Sequence, residues 1–224
     1  MVLIAPFLAV LLSFFIANSF KPKNKNIIAL SLSFSGAFLL SIIIFELLPK
    51  VYTSSDNKTI GLFIALGILL QIILEFLSKG AEHGHFHLDK KSNSIPVLLW
   101  ISLSIHAFVE GIPLESDSGL LYAIIIHKLV IAFILSMFLI DSQTSFVKSI
   151  CLISIFALMT PLGSFTMEYL NAYPQLILAL NSLVIGVLLH ISTVILFESS
   201  DGHKFNIKKI LVIALGITIA YLFV

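Results

Sequence analysis

The stretch IPVLLWISLSIHAFVEGIPL, residues 95–114, decides how the chain is read. It is twenty residues long and apolar except for a histidine and a glutamate, His106 and Glu110, set four positions apart. A helix rising about 1.5 Å per residue needs roughly that length to cross ~30 Å of hydrocarbon. Working outward, similar runs recur wherever charges and Pro, Gly or Asn clusters are taken as breaks. They lie at about 2–19, 27–49, 60–78, 95–114, 119–140, 147–168, 175–198 and 207–224. Composition agrees: 58% of the 224 residues are hydrophobic and 11% charged, whereas a soluble domain averages about 45–50% apolar. The expectation is an all-α polytopic membrane protein: eight transmembrane helices, one membrane domain over 1–224, and a histidine-containing cytoplasmic loop at 79–94.

Lysine alone carries the positive charge, since there is no arginine. Lys21, Lys23 and Lys25 follow span 1; Lys79, Lys90 and Lys91 follow span 3; Lys148 follows span 5; Lys204, Lys208 and Lys209 follow span 7. Only Lys50 and Lys58 fall on the other side. An excess of lysine on cytoplasmic loops therefore puts both termini outside. The first segment, MVLIAPFLAVLLSFFIANSF, lacks a basic leading region and is too long for a signal core, so it reads as a retained span. A single cysteine, Cys151, excludes a disulfide within the chain, and a net charge of +1 gives no hint of a nucleic-acid partner.

A faint repeat links the two ends. FIALGI of span 3 returns as VIALGI in span 8, Gly36 of span 2 is matched by Gly186 of span 7, and Phe-Glu at 45–46 returns at 197–198. An offset of five spans turns the second triplet upside down relative to the first. That is the inverted repeat of many secondary transporters, here in a 3+2+3 arrangement. Spans 4 and 5 are left in the middle, and they carry the costly residues.

Ionisable groups at a helix centre cost roughly 2.5–3.5 kcal/mol to insert, so they need partners and mark pathways. Span 4 has His106 and Glu110; span 5 has His127 and Lys128. Spacing i, i+4 puts His106 and Glu110 on one helix face. Counted from the connection near Asp117, all three candidate ligands fall roughly 10–16 Å deep, near the midplane. Two imidazoles and a carboxylate at one depth suit a borderline dication such as Zn²⁺, with Fe²⁺ as the next choice. The competing reading is a polar cluster that binds helices together.

The motif HAFVEG in span 4, with AIIIHKLVIAFIL in span 5, resembles the ZIP (zinc- and iron-transporter-like) family, whose fourth span carries H-x-x-x-E-G and whose fifth often reads His-Lys. LMTPLG at 158–163 is similar to the family's sixth span, and SGAFLLSIIIFELLP at 35–49 to its second. The resemblance covers the whole chain, and its motifs in spans 4 and 5 are the most specific. It implies a metal site at His106, Glu110 and His127. Members with two metals have an asparagine after the motif histidine and acidic groups in span 5; here Ala107, Lys128 and Ile131 stand in those places. A fixed ammonium beside Glu110 supplies the charge of a second ion and repels one, so a single central metal is expected.

Glu46, near the outer end of span 2 where the family often has histidine, reads either as an entrance ligand or as an interfacial carboxylate facing water. His83, His85 and His87, in the loop EHGHFH, read as loose zinc-type ligands buffering the inner side or as a solvated tract. His190 in span 7, with Glu198 and His203 after it, could line an exit; for His190 a hydrogen bond to a neighbouring helix is the alternative. Glu75 is open in the same way. Pro161 and Gly163 should kink span 6.

These observations predict a transporter, not an enzyme, without a resident cofactor, moving Zn²⁺ or alternatively Fe²⁺, Mn²⁺ or Cd²⁺. Inward direction and a cell's bounding membrane follow from resemblance and from a composition that suggests a microbial source. An intramembrane zinc protease needs a glutamate next to its first ligand, where Ala107 stands. An exporter with a histidine-rich loop conflicts with the span count. Partners are the dication and the bilayer, and the sequence leaves open whether the chain works alone or as a homodimer.

Overall fold

The computed structural model describes residues 4–20, 25–53, 56–78, 97–114, 119–170, 172–198 and 207–224, with Lys25, Glu168 and Glu198 described in backbone only. The elements are α1 (Ala5–Phe20), α2 (Lys25–Ile42), a π turn (Ile43–Leu47), α3 (Leu48–Tyr52), α4 (Asn57–Ser78), α5 (Val97–Gly111), α6 (Gly119–Asp141), α7 (Phe146–Leu170), α8 (Pro174–Glu198) and α9 (Ile207–Phe223). By length and composition, Asn26–Tyr52, Asn57–Ser78, Gly119–Asp141, Phe146–Met167 and Pro174–Phe197 can cross a membrane, while α1 and α5 are shorter apolar helices.

Among the boundaries that differ from the sequence reading, two have a clear cause. The second span does not stop at Pro49 but runs on to Tyr52. The amide of Leu48 bonds to the carbonyl of Ile43, five residues back, so Pro49 enters just where the regular ladder is already widened. The fourth span ends earlier than expected, at Gly111. Ile112 and Leu114 instead close short turns onto Val109 and Gly111, because Pro113 disfavours a helical residue before it.

Packing follows the repeat. α4 lies along α8 and α9 along α2; α1 lies along α6 and α7 along α5. The glycines explain the first two pairings. A side chain on Gly67 would strike the carbonyl of Leu183, and one on Gly216 would come 3.0 Å from that of Phe34. Gly67 to Gly216 and Phe34 to Leu183 are the same 149 residues apart, as two copies of one interface require. Gly111 and Gly163 do likewise for α5 and α7, each facing a backbone carbonyl of the other helix. Such close approach lets dispersion and carbonyl contacts hold helices where lipid offers no hydrophobic drive.

The outer surface is apolar. Phe20, Phe76, Tyr169, Phe197 and Leu222 are among many large side chains left exposed, an arrangement suited to lipid rather than water. Hydroxyls are satisfied locally: Ser33, Ser41, Ser136 and Ser182 each donate to the carbonyl four residues back. At the start of α4, Asp56 accepts the amide of Thr59 at 3.2 Å. Hydrogen bonds from Thr59 hold that carboxyl below its usual range.

Candidate metal centre

The polar residues of α5 and α6 meet in the middle of this apolar body. His106 and Glu110 are one turn apart on α5; His127 and Lys128 come from α6, most of whose length is enclosed. All four side chains are buried, Glu110 and Lys128 being 0% and 1% exposed. Among the described residues, His106, Glu110 and His127 form a group of three potential ligands whose donor atoms lie within 4.8 Å of one another. The rings of His106 and His127 stand nearly perpendicular, 84°, with centroids 6.3 Å apart.

The two oxygens of Glu110 have different partners. Oε1 sits 2.5 Å from the Lys128 ammonium and accepts a hydrogen bond from Thr160 Oγ1 at 3.2 Å. Oε2 faces His106 Nε2 at 3.2 Å. One oxygen is therefore committed to the scaffold and the other is turned to the imidazoles. Lys128 also lies 4.4 Å above the ring of Phe156, which adds a cation–π contact in a dry setting. Carboxylate and ammonium carry opposite charges and offset one another within the centre.

Three supporting residues escaped the sequence reading. Thr160, inside the quoted LMTPLG, bridges α7 to α5 by donating to both the Ala107 carbonyl, 2.9 Å, and Glu110. Its signal was a hydroxyl beside a proline in an apolar helix. Pro161 does lie inside α7. Ser35 of α2 approaches Nδ1 of His127 at 3.5 Å, orienting that ring from behind. Asn181 of α8 is the third, beside Glu46 in a separate pocket.

A tetrahedral zinc shell with bonds of about 2.0–2.2 Å sets neighbouring donors roughly 3.4 Å apart, so the three side chains need to draw inward by about an ångström to grip one ion. A mixed nitrogen and oxygen set left incomplete by the protein is suited to an ion that must leave again.

The other candidates fall elsewhere. Glu46 lies in the π turn and pairs with Lys50 at 2.9 Å, lining a small pocket with Asn181. His190 does not stand alone: its Nε2 is 2.6 Å from Glu75 Oε2, tying α8 to α4 and joining two residues that the sequence left separate. Glu198 ends α8, with its side chain outside the described residues, as are His83, His85, His87 and His203.

Comparison with known proteins gives consistent relatives. The family described as ZIP Zinc transporter matches residues 78–223, which take in α5 to α9 and hence all three candidate ligands. Protein zntD of Dictyostelium discoideum is 38% identical over 104 aligned residues, covering 38% of this chain and 15% of that protein. Zinc transporter ZIP1 of Danio rerio is 33% identical over 93 residues, covering 38% of this chain and 30% of its own length. The chain thus matches well under half the length of these curated relatives.

Proposed function

The chain belongs to the ZIP zinc transporter family, and from that premise we propose that it carries a divalent metal ion, zinc first, across the membrane into the cytoplasm. The ion would be held midway by His106, Glu110 and His127. The observation that carries this reading is the convergence of their donor atoms within 4.8 Å in a buried, otherwise apolar interior. Two imidazoles favour borderline ions such as Zn²⁺ or Fe²⁺ over Mg²⁺ or Ca²⁺; Mn²⁺ and Cd²⁺ are further candidates.

Lys128 acts as the resident second charge. It holds Oε1 of Glu110, keeps the carboxylate aimed at the imidazoles, and repels a second dication. One ion per cycle follows. Glu46 would meet the ion outside. The loop histidines His83, His85 and His87 would take it up loosely inside, with His190, Glu198 and His203 nearer the exit. Alternating access arises by rocking one helix group against the other about the central site. Lysine placement supports both termini lying outside a cell's bounding membrane.

Uptake of ⁶⁵Zn into proteoliposomes tests the reading, with Glu110→Ala and, to leave the Glu110–Lys128 pair in place, His127→Ala. Both variants should lose nearly all flux at normal expression, and excess Cd²⁺ or Fe²⁺ should compete in the parent. Undiminished flux in His127→Ala would refute the central site.

A further inference from the structure

A second group of oxygens waits at the outer end of the bundle. Glu46 is 10% exposed in its side chain, and its Oε1 is taken by the ammonium of Lys50. Its Oε2 is buried with no hydrogen-bond partner among the described residues, and so is Oδ1 of Asn181 on α8. Both residues line one small pocket of about 50 Å³, walled by Leu47, Pro113 and Ile185. A water molecule's share of liquid volume is about 30 Å³, so there is room for an ion with a water or two. Pro113 lies three residues beyond Glu110 in the chain, so the pocket is walled by the turn that follows the central carboxylate.

Buried oxygen acceptors left without donors are costly unless something visits them. Water or a cation can supply what these acceptors lack, and the carboxylate among them favours a cation. Lys50 is 55% exposed and sits one turn from Glu46 on the same face of the span, so it is held weakly and can swing into water.

Resting on the transport reading above, we propose that Glu46 and Asn181 form an outer oxygen-donor station for a partly hydrated divalent cation. Lys50 is the displaceable stand-in that occupies the carboxylate between ions. Oxygen donors accept hard cations as readily as zinc. The outer station therefore collects dications with little discrimination, and the imidazoles of the centre choose among them.

The test is Mn²⁺ titration, followed by electron paramagnetic resonance, on full-length chain with the centre disabled by His106→Ala and His127→Ala. That background keeps the Glu110–Lys128 pair and makes the result independent of the central site, whose own failure is read from ⁶⁵Zn uptake. A weakly bound Mn²⁺ is expected, with Kd raised at least tenfold by Glu46→Gln and several-fold by Asn181→Leu. Lys50→Met should lower Kd about twofold, the worth of an exposed i, i+4 pair. Asn181→Asp, which keeps the oxygen, should bind at least as tightly as the parent. Absence of Mn²⁺ binding, indifference to Glu46→Gln and Asn181→Leu, weaker binding in Lys50→Met, or loss in Asn181→Asp would each overturn the proposal.

Discussion

Among the described residues, two glutamate–lysine pairs share their chemistry but not their surroundings. Glu46 and Lys50 stand one turn apart on the same span near its C-terminal end, with the ammonium largely in water; Glu110 and Lys128 meet across two helices and are 1% exposed each. An i, i+4 pair of the first kind is worth about 0.3–0.5 kcal/mol, because water and salt compete for its ammonium. Removing one member of a buried pair leaves the other uncompensated, at about 3–5 kcal/mol. The difference teaches which ammonium yields to an arriving dication. On the proposals above, Lys50 is the displaceable member and Lys128 the fixed one.

The sharpest way to break this contrast is Lys128→Met. It should lower stability by about 3–5 kcal/mol, read as a large fall in melting temperature in detergent, whereas adding Glu110→Gln should recover most of the stability and none of the transport. If Lys128→Met alone melts like the parent, the pair is not the fixed element described here. Thr160→Val comes next. It keeps the volume but removes the hydroxyl that steadies Glu110 and bridges to Ala107. The expected loss is about tenfold in zinc affinity, the usual worth of a ligand's hydrogen-bonding neighbour, with about 1 kcal/mol in stability. The smallest effect belongs to Lys50→Met, which should shift stability by no more than about 0.5 kcal/mol, and by less at high salt. A loss of several kcal/mol there would erase the distinction between the two pairs.

The parts of this arrangement that the sequence could show are those set by short-range periodicity. The i, i+4 spacing of His106 and Glu110 fixed their common face, and counting residues from the α5–α6 connection predicted that His127 would share their level. The repeated glycines were legible too, although only packing shows why they recur: Gly67 and Gly216 back onto carbonyls at matching positions. What stayed hidden depends on contacts between residues far apart in the chain. Thr160 lies 50 residues from Glu110 and Ser35 lies 92 from His127, and no local pattern encodes such pairs. Glu75 and His190 looked like separate ambiguities because their link spans 115 residues. The π turn was unreadable for another reason, since Pro49 signals a stop in any helix whose ladder is regular.

Zinc K-edge absorption on purified protein loaded with one equivalent of zinc tests the central claim most directly. The chain would carry His83→Ala, His85→Ala and His87→Ala, so that loop ligands do not contribute, together with Glu46→Gln. The account predicts one bound zinc with two imidazoles and oxygen neighbours at about 2.0–2.2 Å, lost on His127→Ala. A shell of oxygens alone, or a second zinc within about 4 Å of the first, would contradict it.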